Sequence, residues 1–264
     1  MKAIVIAPRG KMGKFITQII AKSDDELIAG VAPKGRDYIG DDLGAVAFVG
    51  RTLKVPVIDN LEDKIDDCDV VIDFSTRENS LKVLDNCIKH KKALVCGTTG
   101  FSEEEMDRFK TGSKSIPILY AANTSKAVNV MNKVLKFITE KIGSEADIEI
   151  LEMHDNKKID APSGTSLEMG EILAKARGQK LNDIARFGRH GALPREEGTI
   201  GYHSLRAGNI ASSHTVFFGF EGERLEITHH SYSYECFASG AVTCGRFLIN
   251  QKPGLYNVSD ALNL

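Results

Sequence analysis

The 264-residue sequence has no tryptophan, and its five cysteines (Cys68, Cys87, Cys96, Cys236 and Cys244) are scattered, odd in number and without a CxxC pair. That spacing excludes a disulfide framework and the usual zinc motifs. The cysteines therefore read as small apolar side chains in a reducing compartment, and no metal site is expected. An excess of charge of either sign is also missing, because 34 Lys and Arg face 36 Asp and Glu for a formal net charge of −2. Without a cationic field the chain has no general means of holding phosphate backbones, so nucleic acid is not an expected partner. No apolar run approaches the ~20 residues that span a bilayer, and the opening MKAIVIAPRG lacks the apolar core of a secretory signal, so no membrane partner is expected. What is present, 42% apolar and 27% charged residues, is the composition of a cytoplasmic globular enzyme or small-molecule binding protein.

The first half alternates short apolar runs with amphipathic stretches. Residues 2–6 read as a buried strand, Met12, Phe15, Ile16, Ile19 and Ile20 recur at helical spacing, and 27–32 returns to strand, which makes a βαβ unit. The pattern repeats with a strand at 70–74, a helix carrying Leu81, Leu84 and Ile88, and strands at 93–96 and 116–120. Continuous apolar strands separated by helices predict a parallel sheet covered on both faces. Beyond Asn123 a helical pattern (Val128, Met131, Val134, Leu135, Ile138) leads into alternating segments at 147–152, 213–220 and 224–233, the last two joined by Glu221-Gly222-Glu223. After Cys236 the sequence turns helical again and is expected to return to the first domain. The fold class expected is α/β: a Rossmann-type cofactor domain over 1–124 and 235–264, and a mixed α+β domain over 125–234 with a largely antiparallel sheet, for substrate binding and oligomerisation.

Between the first strand and helix lies Ala7-Pro8-Arg9-Gly10-Lys11-Met12-Gly13. Dinucleotide folds place glycines here so that the chain turns tightly and backbone N–H groups at the helix start reach a pyrophosphate; Ala7 stands where the first glycine is usual. After the second strand comes Ala32-Pro33-Lys34-Gly35-Arg36, with no carboxylate to bind a ribose diol and two cations suited to a 2′-phosphate, which predicts NADPH ahead of NADH. Three further strand ends, at Asp73-Phe74-Ser75, at Gly97-Thr98-Thr99-Gly100 and at Ala121-Ala122-Asn123, are expected to open onto the same crevice. Plain turns and solvated charges are the competing readings of these segments.

The densest chemistry lies in His154-Asp155-Asn156-Lys157-Lys158-Ile159-Asp160-Ala161-Pro162-Ser163-Gly164-Thr165. A histidine that exchanges protons near neutrality, with a lysine four residues on, suits acid catalysis on an anionic substrate. Ser163, Gly164 and Thr165 then open a helix whose N–H groups and hydroxyls suit a carboxylate. A capped helix after a polar loop, with a hydrogen-bonded histidine, is the alternative.

This stretch resembles the signature H-H-x-x-K-x-D-x-P-S-G-T of the dihydrodipicolinate reductase family, and Gly10-Lys-Met-Gly13, Gly97-Thr-Thr-Gly-Phe101, Arg206-Ala-Gly208, Glu226-Ile-Thr-His229 and Gly254-Leu-Tyr256 follow in family order. The resemblance spans the whole chain. It implies hydride transfer from a nicotinamide cofactor to a cyclic imine dicarboxylate, His154 as proton donor, Lys158 as its assistant, and Ser163, Gly164 and Thr165 holding a carboxylate. It also implies a cofactor site built from Ala7, Gly10, Lys11, Met12, Gly13, Lys34, Arg36, Phe74, Ser75, Gly97, Thr98, Thr99, Ala121 and Asn123, a place in lysine biosynthesis through diaminopimelate, and a homotetramer.

Three positions depart from the pattern. Asp155 replaces the second histidine, Tyr234 stands where an arginine is usual, and Lys126 appears in a loop that normally reads P-N-F-S-x-G. Asp155 is a charge of the wrong sign for a dianionic substrate if it points inward, and Lys126 is the candidate to replace the missing cation. Two readings stay open beside the family's reaction: a paralogue that reduces another carboxylated cyclic imine, and a non-catalytic dinucleotide sensor.

Overall fold

The computed structural model describes residues 1–264 as two compact units, Met1–Lys126 with Tyr234–Leu264, and Ala127–Ser233. In chain order the first contains β1 (Lys2–Ile6), α1 (Lys11–Ala21), β2 (Glu26–Val31), α2 (Leu43–Val46), β3 (Val57–Ile58), β4 (Val70–Asp73), α3 (Arg77–His90), β5 (Ala93–Cys96), α4 (Glu103–Gly112) and β6 (Pro117–Tyr120). There follow α5 (Lys126–Ile142), β7 (Asp147–His154), α6 (Gly164–Ala176), α7 (Leu181–Ile184), β8 (Ala185–Phe187), β9 (Ile200–Arg206), β10 (Ser212–Phe220) and β11 (Glu223–Ser231). The chain then returns to the first unit with α8 (Glu235–Leu248), β12 (Gly254–Tyr256) and α9 (Val258–Leu262).

Seven strands in the order β12-β6-β5-β4-β1-β2-β3 pair in parallel throughout. Every residue of β4 and β5 is buried, which is why both read as unbroken apolar runs. Along β1 the side chains alternate between two cores. Ala3 and Val5 join Ile16 and Ile20 of α1 and Ala241 and Leu248 of α8, while Ile4 and Ile6 join Val83 and Leu84 of α3 and Phe109 of α4. The chain leaves β1 toward β2 and β3 and resumes on the other side at β4, so the sheet's switch point lies beyond the ends of β1 and β4, where Ala7 and Phe74 begin their loops.

The second unit has five strands in the order β11-β10-β7-β9-β8. The antiparallel pattern expected from the alternation holds for β11, β10 and β7; β9 and β8 add in parallel, since the chain passes through α6 and α7 before rejoining the sheet. On β7 the period of two puts Ile148, Ile150, Glu152 and His154 on the buried face. The two isoleucines pack against Val128, Met131 and Leu135 of α5 and Met169 and Leu173 of α6. The strand runs two residues past the alternating segment seen in the sequence, because Met153 pairs with Ser213 of β10 and His154 with Arg206 of β9. His154 therefore ends a central strand, held by its pairing with β9 on one side, while Met153 just before it is paired with β10 on the other.

Candidate active site

At the switch point Ala7 adopts φ 54°, the left-handed conformation that glycine takes without strain, and its carbonyl accepts from the Gly10 N–H at 2.9 Å. Helix α1 starts at Gly10 with no side-chain cap, so its first-turn N–H groups are offered to a ligand. A Cβ on Gly13 would lie 2.2 Å from the Ala7 carbonyl oxygen, so this glycine serves the close packing of helix on turn and does not line the crevice.

A cleft of about 920 Å³ beside this turn is lined by Ala7, Gly10, Lys34, Arg36, Phe74 and Ser75. A smaller cavity of about 350 Å³ shares Phe74 and Ser75 with it and adds Met12, Gly97, Thr98 and Thr99. Gly97 is required by the Phe74 ring, which would stand 1.9 Å from an added Cβ. Beneath these loops Asp73 is fully buried and accepts from the Ser75 N–H at 3.0 Å, and burial pushes its carboxyl above the usual range. An uncapped helix N-terminus beside a cleft that carries Lys34 and Arg36 fits a nicotinamide dinucleotide.

Not every expected cofactor residue lines these cavities. Lys11 turns to Tyr234, its Nζ 3.5 Å from the phenolic oxygen and 5.2 Å from the ring centroid. Ala121 packs against the core, and Asn123 accepts from the Ser125 N–H through Oδ1. Conversely, Arg9, Asp37 and Tyr38 line the larger cleft without being among the expected cofactor residues. Of the three, only Arg9 carries a signal in the sequence, as a cation inside the phosphate turn.

The second unit gathers the acid stretch. Glu152 is 1% exposed, and its Oε2 lies 2.5 Å from His154 Nδ1. Arg206 donates to both of its oxygens, at 2.9 and 2.8 Å, and also to the Asp160 carbonyl at 2.6 Å. Burial alone would raise the Glu152 carboxyl; hydrogen bonds from His154, Arg206 and Ser204 outweigh it and hold the group at about 2, so the carboxylate is ionised. Lys158 pairs with both oxygens of Asp160 at 2.8 and 2.9 Å. Ser163 caps α6, its Oγ accepting from the Ser166 N–H at 3.2 Å and sharing a hydrogen bond with His214 Nε2 at 3.0 Å. Space is open beyond Gly164, the first residue of that helix. His214 stands edge-on to His154 with ring centroids 5.3 Å apart. Burial first, and the electrostatic influence of the neighbouring His154 second, push its imidazole down to about 3.

Of the three departures, Asp155 turns onto its own loop, where Oδ1 accepts from the Lys157 N–H at 2.8 Å. Tyr234 forms the first residue before α8 and faces Lys11. Lys126 is exposed and opens α5.

Residues 1–124 match the family model described as dihydrodipicolinate reductase, N-terminus, and residues 127–262 match the one described as dihydrodipicolinate reductase, C-terminus. A 4-hydroxy-tetrahydrodipicolinate reductase of Pseudomonas fluorescens is 43% identical over 263 residues, covering 98% of both chains. One from Psychrobacter arcticus is 40% identical, covering 98% of this chain and 94% of the relative. Among solved structures, dipicolinate-bound dihydrodipicolinate reductase from Paenisporosarcina superposes with a TM-score of 0.75 at 27% identity, covering 97% of each chain. An amine dehydrogenase from Mycobacterium smegmatis shares the fold, with a TM-score of 0.69 at 13% identity, covering 98% of this chain and 95% of that one. Two matched halves and near-complete relatives at this identity make the chain a member of the dihydrodipicolinate reductase family.

Proposed function

We propose that the protein reduces 4-hydroxy-tetrahydrodipicolinate to tetrahydrodipicolinate in diaminopimelate and lysine biosynthesis, using NADPH in preference to NADH. One observation carries the chemistry. His154 ends a central strand with Nδ1 on an ionised carboxylate, so that Nε2 is the ring nitrogen left for proton exchange, and His214, which is bonded to Ser163 at the start of α6, stands edge-on to the same ring.

The reaction takes up one hydride and one proton and releases water. Bound NAD(P)H supplies the hydride. The protein supplies the rest: His154 delivers a proton from Nε2, the ammonium of Lys158 offsets negative charge that develops on the ring, and Ser163, Gly164 and Thr165 hold a substrate carboxylate. Lys158 reaches that role from its pair with Asp160, which keeps the ammonium beside the loop until an anionic substrate competes for it. In the first unit the α1 N-terminus, Lys34 and Arg36 bind cofactor phosphates, and Phe74 with Gly97 shapes the space for the nicotinamide.

We also propose a cytoplasmic homotetramer. One face of the five-stranded sheet is packed by α5 and α6, while the opposite face presents half-exposed Leu151, Met153 and Phe217, surface that self-association would bury.

Oxidation of NADPH and NADH by the purified protein with enzymatically generated 4-hydroxy-tetrahydrodipicolinate tests substrate and cofactor together. The expected result is turnover with both and a higher kcat/KM with NADPH; binding of NADPH without turnover would overturn the assignment. His154→Gln should lower kcat about 100-fold or more while leaving the NADPH Kd within about 2-fold.

A further inference from the structure

Glutamate on the buried face of a central strand is costly unless its charge is fully paired, and a buried ion pair is seldom the most stabilising way to fill such a place. Glu152 occupies that place. Its two oxygens receive two hydrogen bonds from Arg206, which would satisfy a purely structural pair, yet Oε2 also takes His154 Nδ1. The arrangement follows from registers in two directions. Glu152 and His154 are two residues apart on β7 and so share a face, and β9 runs parallel with Arg206 opposite His154, from where the guanidinium reaches back to Glu152.

We propose that Glu152 is the positioning residue for His154: with Arg206 balancing its charge, the carboxylate accepts the Nδ1–H hydrogen bond, sets the ring plane, and leaves Nε2 as the only nitrogen that exchanges a proton with substrate. The inference rests on the reading of His154 as proton donor. In the step itself the Nε2–H bond breaks, its proton passes to the substrate, the ring keeps Nδ1–H on Glu152, and Nε2 is reloaded from water. An ionised acceptor at Nδ1 makes that tautomer the stable one, whereas a ring without it distributes its proton between both nitrogens and loses its fixed orientation. Arg206 extends the same framework to the catalytic loop through the Asp160 carbonyl. The other titratable group packed against the ring is His214, edge-on from β10, and the Lys158–Asp160 pair lies on the loop that follows.

Two variants separate positioning from a merely structural ion pair. Glu152→Gln keeps shape and one acceptor oxygen but leaves the Arg206 charge unpaired. The double variant Glu152→Met with Arg206→Met removes both charges, so its fold is not burdened by a lone guanidinium. Kinetics with NADPH and enzymatically generated 4-hydroxy-tetrahydrodipicolinate, a pH profile of kcat, and NADPH affinity by fluorescence are measured on wild type, His154→Gln and both variants. The double variant is expected to fold, with kcat down about 100-fold, an altered pH profile, and substrate KM and NADPH Kd within about 2-fold of wild type. A folded double variant with wild-type kcat and pH profile overturns the proposal, and so does a loss that appears in KM alone. If instead His154→Gln keeps full kcat, the reading of His154 fails and the role of Glu152 falls with it. A lowered kcat in His154→Gln beside a fully active double variant overturns the Glu152 proposal alone.

Discussion

The guanidinium of Arg9 lies over the Tyr38 ring, 4.9 Å from its centroid, and pairs with Asp37 at 3.1 Å. The contact bridges the phosphate turn after β1 to the loop after β2, so a cation stands across the cleft that also holds Lys34 and Arg36. Arg9 and Asp37 are exposed, so the ion pair itself adds little to stability, but the partly buried Tyr38 ring fixes the guanidinium where a 2′-phosphate would compete with Asp37 for it. Arg9→Ala is expected to raise the Kd for NADPH about 10-fold and that for NADH less than about 3-fold. Equal losses for both cofactors would place Arg9 at the pyrophosphate, and no loss would make it a surface charge.

Ala7 raises a stability question at the same turn. An alanine at φ 54° carries a penalty of about 1–2 kcal/mol that glycine escapes, offset by the ~0.4–1 kcal/mol that glycine's freer unfolded chain costs. Ala7→Gly should therefore stabilise the protein by somewhat under about 1 kcal/mol, read as a rise of about 2 °C in Tm by calorimetry. A fall in Tm would show that the turn adapts to the alanine without strain.

His214 ties stability to pH. Its imidazole is neutral in the folded protein down to about pH 3, whereas the unfolded chain protonates it from about 6.5. A depressed folded value means that the unfolded state binds more protons in between, so this contribution is complete above 6.5 and is lost as pH falls toward 3, at about 1.4 kcal/mol per unit. His214→Gln, which can still bond Ser163 Oγ, should lower stability at pH 8 yet flatten its decline between pH 6.5 and 4.5 in urea unfolding. Parallel pH dependences in the two proteins would remove His214 as the source.

These groups differ in how far the sequence announces them. The βαβ opening is legible because β1 and α1 are long enough to express their periods, while β3 and β12, with two and three residues, are too short to show one. The parallel half of the second sheet is invisible locally, since an alternating strand reads the same whichever way its neighbour runs. Arg206 shows the consequence. It stands in a segment recognisable by resemblance, but its bonds to Glu152 come from the register of β9 on β7, 54 residues away in sequence. The PSGT start of α6 is legible because Ser before a helix is a cap by its own chemistry. What no pattern could supply was direction: Lys11, Asn123 and Asp155 occupy marked positions but turn to Tyr234, Ser125 and Lys157 respectively.

For Asp155 that direction decides a kinetic outcome. A carboxylate aimed at the substrate would repel a dianion, and its removal would improve binding; one that accepts from the Lys157 N–H instead stiffens the loop that carries Lys158. Asn retains the Oδ1 acceptor and sheds the charge. Asp155→Asn is therefore expected to leave the substrate KM within about 2-fold and kcat nearly unchanged, whereas Asp155→Ala, which loses the turn, should lower kcat several-fold by loosening the loop around Lys158. A fall in KM of about 10-fold in Asp155→Asn would show that the carboxylate meets the substrate after all, because about 1.4 kcal/mol of repulsion would then have been relieved.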